Sequence, residues 1–395
     1  MNDILKIIGR EKPIFMGDLA DHEEEISGTI GDSSFLVIGA AGTIGSAVTR
    51  EIFARNPKRL IAVDISENNL AELVRHLRSS VGYISGKFET YALDALSPEF
   101  EALCTAYPTF DYVLNFSALK HVRSEKDPFT LMRLIKTNIF LTKNSLEFAN
   151  RCGAKKYFCV STDKATNPVN MMGASKRIME MFLLKYGQVD VSSARFANVA
   201  FSDGSLLHSF RNRIAKRQPI SAPSDVKRYF VTETEGAILC LFSTFFGQDK
   251  DIFFPKLTAD LHLETFDKIA LRYLESLGLQ GHVCDSEQEA RSRVEELAAQ
   301  GKWPCSFFQS DTTGEKPFEE FFTETEEVDW ERFSEMGIVK NNLPVDNAAL
   351  VDFEDQILNR LPAKGWSKSD LVDLFTTLVP NFEHEEKNKN LDQKM

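Results

Sequence analysis

Positions 157–176 read YFCVSTDKATNPVNMMGASK, and hydroxyl, carboxylate and amine groups meet there. An apolar run from Tyr157 to Val160 breaks at Ser161-Thr162-Asp163-Lys164. After a Pro/Asn-rich turn, Met172-Gly173-Ala174-Ser175-Lys176 opens a helical pattern. That pattern places a second amine, Lys176, one helical turn past Met172. Such a group of side chains can hydrogen-bond a developing alkoxide and carry protons to and from a substrate. The same residues also suit a buried strand that ends in an ordinary capped turn. The stretch alone does not choose between the two.

Polar residues at the carboxyl end of a parallel strand sit where open α/β sheets place their ligands, so such a sheet is expected around this stretch. Its first strand is the apolar run Ser34-Phe35-Leu36-Val37-Ile38, of the kind buried on both faces. Gly39-Ala40-Ala41-Gly42-Thr43-Ile44-Gly45 follows, and then a helical pattern through Ala54. Glycines at such a turn let the backbone approach a pyrophosphate resting on the helix N-terminus. A second strand, Arg59 to Val63, ends at Asp64, which can accept bonds from an adenosine ribose and repel a 2′-phosphate, favouring NAD over NADP. An acidic cap for the helix that follows Ser66 competes with that role. A third strand is expected from Thr90 to Ala95, with Asp94 and Ala95 near an adenine edge. A fourth runs from Tyr112 to Phe116. Ser117 and Ala118 are small enough to leave room for a dinucleotide, and Lys120 and His121 are expected to face the same cleft. His121 is read as a structural or substrate-positioning group ahead of a proton carrier. The helix holding Lys136-Thr137-Asn138 then leads back to the reactive stretch.

The bulk properties narrow the field. Hydrophobic residues are 43% and charged residues 26% of the 395, ordinary globular values. The net charge of −12 disfavours a nucleic-acid partner. No apolar run approaches the roughly 18 residues that suggest a membrane span, and the first residues lack a secretory-signal pattern. Six cysteines are scattered without a CxxC pair, so neither a disulfide framework nor a metal site is expected. A soluble, cytoplasmic, enzyme-sized protein is the expectation.

GAAGTIG, NFSALKHV, STDKATNPVNMMGASKR, RFANV and TGEKPFEE occur in that order. In that order they resemble the nucleotide-sugar 4,6-dehydratases of the extended short-chain dehydrogenase/reductase superfamily. More narrowly, the pattern resembles the UDP-N-acetylglucosamine 4,6-dehydratases of polysaccharide and surface-glycan synthesis, over roughly residues 30–330. Larger members of that group carry membrane-spanning N-terminal segments, and this chain resembles only their soluble catalytic part. The resemblance implies an α/β fold, a Rossmann-type doubly wound parallel sheet with a smaller, mostly helical substrate-binding C-terminal domain. Residues 1–30 would be a helical lead and 31–200 the NAD-binding domain. Residues 201–395 would form an interleaved sugar-nucleotide region with C-terminal helices. The protein would bind a UDP-sugar and form a homo-oligomer.

The resemblance also implies roles. Gly39, Gly42, Thr43, Ile44 and Gly45 would cradle NAD, with Asp64, Ser66, Asp94 and Ala95 at its adenosine end. Ser117, Ala118, Lys120, Asn138 and Lys176 would line the rest of its site. Lys120, His121, Asn198, Ser205, Arg228 and Glu315 would hold the substrate. In the implied reaction hydride leaves the sugar's C4, the C5 proton is removed, C6 loses water, and hydride returns to C6. Thr162 would bond the C4 oxygen, Asp163 shuttle protons, and Lys164 serve as the C5 base, its pKa depressed by burial and a cationic neighbour. Met172 stands where the superfamily's tyrosine is usual and has no titratable proton. A methionine there resembles the subgroup that retains configuration at C5. An NAD-dependent C4 epimerase or reductase, or a non-catalytic NAD-binding protein, remain open alternatives.

Overall fold

The computed structural model describes residues 2–257, 261–310, 318, 320–342, 344–379 and 382–384. Its centre is a nine-stranded sheet. Six of the strands are β1 (Ser34–Ile38), β2 (Arg59–Asp64), β3 (Lys87–Ala92), β4 (Tyr112–Asn115), β5 (Lys156–Thr162) and β6 (Val191–Phe196). Across the sheet the order is Glu327–Asp329, Met336–Lys340, Asp251–Pro255, β6, β5, β4, β1, β2, β3. Neighbours from β3 to Asp251–Pro255 run parallel, and the last two strands antiparallel. The chain winds outward from β1 in one direction and from β4 in the other. This places a crevice at their carboxyl ends, where doubly wound sheets bind ligands.

Alternation along β1 shows why the sheet is buried on both sides. Phe35 and Val37 join one apolar layer with the helices Thr43–Ala54 and Glu233–Phe246. Leu36 and Ile38 join another, with Pro98–Ala106 and Leu141–Cys152. Period two sends successive side chains to opposite faces, so a continuous apolar run satisfies both.

Three strands differ in extent from the sequence reading. β3 begins earlier than expected and stops at Ala92, leaving Asp94 and Ala95 in the turn beyond it. It is an edge strand whose residues are only partly buried, so its apolar pattern is weak. β4 ends at Asn115, one residue before Phe116. β5 continues through Ser161 and Thr162, so these belong to the strand itself.

Beyond residue 200 the helices are accompanied by strands that the sequence reading did not place. Asp251–Pro255, Met336–Lys340 and Glu327–Asp329 extend the main sheet. A separate parallel sheet joins Gln280–Val283, Lys302–Phe308 and Ile220–Pro223. The lead is helical at Asn2–Ile7 and Met16–Gly31, and between them Arg10 bonds the carboxylate of Glu235 at 2.6 and 2.9 Å. Near the other end, Asn347–Asp355 and Lys368–Leu378 pack Phe353, Leu371 and Phe375 against Pro128–Ile135 and Met171–Tyr186. Lys368–Leu378 begins at Ser367 with a reciprocal capping box to Asp370.

Candidate active site

The crevice opens into a cleft of about 810 Å³ at the carboxyl ends of β1, β4, β5 and β6. One wall is the glycine turn. Gly39 has φ of +73°, and a Cβ there would lie 2.6 Å from the Ser117 amide nitrogen. At Gly45 a Cβ would strike the Gly39 carbonyl at 2.0 Å. Only glycine fits either position. Gly42 starts the helix Thr43–Ala54 without a side-chain cap, and Gly42, Thr43, Ile44 and Gly45 line the cleft. First-turn amides and the helix dipole make that wall suited to a phosphate.

Asp64 at the end of β2 braces the turn. Its two oxygens accept from the amides of Ala41 and Ser66, each at 2.9 Å. The helix Glu67–Ser80 is capped by Ser66, which accepts from Asn69, so Asp64 is not its cap. Asp94 is exposed and accepts from the Leu96 amide, while Ala95 is buried. Asp64, Ser66, Asp94 and Ala95 do not line the cleft volume.

The opposite wall carries the reactive groups. Thr162, Asp163, Lys164, Met172 and Lys176 all line the cleft, as do Ala118, Lys120, His121, Asn198, Ser205 and Arg228. Asp163 is buried, and its Oδ1 accepts from the Thr162 hydroxyl at 2.8 Å and the Lys164 ammonium at 3.0 Å. The charged partner thus observed for Lys164 is an anion, where a cation was expected. Lys176 donates to the Val160 carbonyl at 3.0 Å and lies against the Met179 sulfur. Burial strips its ammonium of water and lowers its pKa to about 8. Met172 is buried, with its N–H donated to Glu125.

Across the cleft, Lys120 donates to the Ser202 hydroxyl at 3.1 Å, and burial pushes its pKa down. His121 is also pushed down, by burial and then by the charges of Lys120 and Arg123. Its ring sits where a Cβ on Gly204 would fall, 2.8 Å from Nε2. Ser205 caps the helix Leu206–Ala215, and Arg228 is buried at the cleft wall.

Other expected residues are placed elsewhere. Asn138 is fully buried in a π-helical turn, Lys136–Phe140. Its amide bonds both backbone groups of Leu119 and the Ser175 hydroxyl. It therefore clamps the β4 loop to the Met171–Tyr186 helix and does not line the cleft. Ser117 bonds Asn115 beneath the glycine turn. Arg195 of RFANV is fully buried and does not line the cleft. The island at Arg211, Arg213, Lys216 and Arg217 lies outside the cleft lining as well, and Arg217 pairs with Glu295. Glu315 lies outside the described residues.

Sequence reading missed Glu125, Asn170 and Lys368, all of which line the cleft. Asn170 carried a usable signal, since Asn three residues before Gly173 is a helix-cap pattern; it accepts from that amide at 2.8 Å. Outside the cleft, ligand atoms of His282, Cys284 and Glu289 lie within 4.8 Å of one another. Arg293 donates to Glu289 at 2.8 Å and contacts His282 at 3.2 Å. A guanidinium thus already fills the place a metal cation would take.

Residues 35–341 match the sequence pattern of the family described as "Polysaccharide biosynthesis protein". The chain is 30% identical over 262 residues to the uncharacterized membrane protein MJ1061 of Methanocaldococcus jannaschii, covering 63% of this chain and 75% of that one. It is 29% identical over 238 residues to a UDP-N-acetylglucosamine 4,6-dehydratase (inverting) of Campylobacter jejuni, covering 57% of this chain and 67% of that one. It spans 38% of the length of two further curated relatives, both polysaccharide biosynthesis proteins. Among solved structures, Pen from Bacillus thuringiensis superposes with a TM-score of 0.65 at 22% identity, covering 80% of this chain and 89% of that one. That likeness shows the shared Rossmann-type fold. No helix among the described residues is long and apolar enough to cross a membrane.

Proposed function

We propose, since the chain belongs to the polysaccharide biosynthesis protein family, that it is an NAD-dependent 4,6-dehydratase acting on UDP-N-acetylglucosamine for surface-glycan or polysaccharide synthesis. The observation that carries the reading is one cleft with two unlike walls. Thr162, Asp163, Lys164 and Lys176 line it together with Gly42, Thr43, Ile44 and Gly45 of the glycine turn, with Met172 where the usual tyrosine would stand.

The glycine turn fits a dinucleotide, because side chains at Gly39 and Gly45 would fill the turn itself and the helix N-terminus beyond it is open to the cleft. NAD bound there would accept hydride from the sugar and return it. Asp64 would face the adenosine ribose and favour NAD over NADP. Arg228 would hold the diphosphate, since a guanidinium can grip two phosphate oxygens at once. Lys120, His121, Asn198 and Ser205 would orient the sugar nucleotide.

Each reactive group has a role its position permits. Thr162 bonds the C4 oxygen. Asp163 takes the C4 hydroxyl proton that Met172 cannot hold, and later donates to the departing C6 hydroxyl. Lys164 removes the C5 proton, made acidic by the neighbouring ketone. It does so as the neutral amine, its ammonium proton having gone to solvent beforehand, because the carboxylate beside it is reserved for the C4 proton. Lys176 holds the nicotinamide ribose.

Incubating the purified protein with NAD and UDP-N-acetylglucosamine, and following product mass, tests the reading directly. Loss of one water supports a dehydratase. Unchanged mass with inverted C4 indicates an epimerase, and no reaction favours a binding protein. With Met172 in place, the 4-keto product is expected to keep its C5 configuration when formed in deuterated water. A product inverted at C5 would remove the retaining assignment alone; the name of the Campylobacter relative carries the word inverting.

A further inference from the structure

The start of the Met171–Tyr186 helix must be held against the Thr162-Asp163-Lys164 turn, and a buried acid outside that turn does the holding. We propose that Glu125 and His384 form a positioning pair that fixes Met172 and, through it, the Asp163–Lys164 turn. The effect on turnover rests on the dehydratase reading above.

Glu125 ends the 3₁₀ turn Val122–Glu125, lines the cleft and is 3% exposed. Its Oε1 accepts the Met172 N–H at 2.9 Å, one of the first amides that a helix leaves without an internal partner. The next amide, Gly173, goes to Asn170. A carboxylate here also meets the positive end of the helix dipole. So far Glu125 is a helix cap.

Two observations carry it further. The second oxygen, Oε2, is buried with no hydrogen-bond partner, although such a group loses its water at a cost. Facing it at 3.7 Å is Nε2 of His384, also buried and without a hydrogen-bond partner. The gap is ion-pair distance, and a small side-chain movement closes it to a hydrogen bond. His384 is no accidental neighbour, because Phe382 is buried in the apolar cluster beneath, beside Phe375 and the imidazole.

Gly173 supplies the link to the reactive turn. A Cβ on it would lie 2.4 Å from the Lys164 carbonyl oxygen. The helix start and the turn are in backbone contact, so a displaced Met172 amide displaces Lys164. A cap that served helix stability alone would account for Oε1. It gives no reason for an imidazole from the far end of the chain to stand opposite Oε2.

The test compares Glu125→Gln, His384→Gln and His384→Leu with wild type. It reads amide exchange across residues 164–176, NAD affinity, and kcat and KM for dehydration of UDP-N-acetylglucosamine. Glu125→Gln and His384→Leu should speed exchange in that segment and lower kcat by about tenfold to a hundredfold. NAD affinity and KM should stay within about twofold, because the Glu125–His384 pair is assigned to the geometry of the turn and not to ligand contact. His384→Gln keeps a donor and should recover most of kcat. Faster exchange with unchanged kcat would reduce Glu125 to a cap and overturn the positioning role. Unchanged exchange, or equal losses in both His384 variants, would overturn the pair. Should Glu125→Gln fail to fold, the two His384 variants decide. A wild-type protein inactive on the sugar nucleotide sinks the dehydratase reading instead, and the exchange arm then judges the pair by itself.

Discussion

Two clusters of charge are built on β5 and the Met171–Tyr186 helix, and they are finished differently. In the first, Arg195 uses all of its guanidinium donors, to Glu180, Glu326 and the Phe321 carbonyl, at 2.8–3.1 Å. Arg177 bonds the same two carboxylates, while Ser161 and the Thr323 amide take further oxygen sites. Burial would raise Glu326, but the hydrogen bonds and charges of Arg195 and Arg177 hold it at about 2. In the second, Asp163, Lys164 and Lys176 border a cleft, and a single oxygen, Asp163 Oδ1, takes both the Thr162 hydroxyl and the Lys164 ammonium. Charge saturated in the interior supports a fold, whereas charge set at the wall of a cavity is placed to meet a reactant.

The largest effect that would sharpen this contrast is on turnover. Lys164→Ala and Asp163→Asn should each lower kcat by about 10²–10⁴-fold, with nucleotide-sugar affinity and unfolding midpoint near wild type. Substantial turnover in Lys164→Ala would move the base to Asp163 and weaken the division of roles.

Arg195→Met should do the reverse. Leaving Glu180 and Glu326 buried without their partner should cost about 3–5 kcal/mol in chemical denaturation, with any surviving folded protein binding NAD normally. Glu326 adds a pH signature. Its folded value lies below its ordinary one, so its stabilisation is present above about 4.5 and is lost as pH falls toward about 2. Glu326→Gln should flatten that acid limb, and an unchanged limb would assign acid unfolding to other groups.

Lys176 gives a smaller effect of opposite sense. Its folded pKa of about 8 lies below the ordinary lysine value. The cation that would hold the ribose is therefore present below pH 8 and lost above it, and kcat/KM should fall on that basic limb. Stability should rise across the same interval, up to the ordinary value near 10.5, because the unfolded chain there binds the extra proton. A pH–rate profile without a limb near 8 would remove the requirement for charged Lys176. The smallest change is expected from Met172→Leu. It conserves volume and apolarity, costs less than about 1.5 kcal/mol, and should retain most activity. A loss rivalling Asp163→Asn would give the thioether a chemical role.

The parts legible in the sequence are those whose cause is local. β1 and its glycine turn show themselves through a continuous apolar run and a spacing with one steric solution. The Thr162-Asp163-Lys164 turn was visible because strand and polar break are contiguous. Arg195 was harder. It neighbours cleft-lining Phe196 in sequence, but alternation along β6 sends the two side chains to opposite faces. Glu125, Lys368 and His384 reach the active-site region only through packing of segments far apart in the chain, which no periodicity records. The strands Gln280–Val283 and Ile220–Pro223 are short and carry little alternation, so pairing reveals them and composition does not.

The tie between Arg10 and Glu235 has a consequence for how the chain is made. The carboxylate partner of Arg10 lies 225 residues downstream. At roughly 5–20 residues per second of synthesis, the lead waits on the order of ten to forty-five seconds for Glu235 to emerge. Through that interval the helix Met16–Gly31 has no Glu233–Phe246 helix to lie against, and Leu5 and Ile8 lack the cluster they join, whose other members outside the lead lie from Ala200 onward. The nascent chain therefore passes through a stage in which Leu5 and Ile8 wait for apolar partners that are made about 200 residues later.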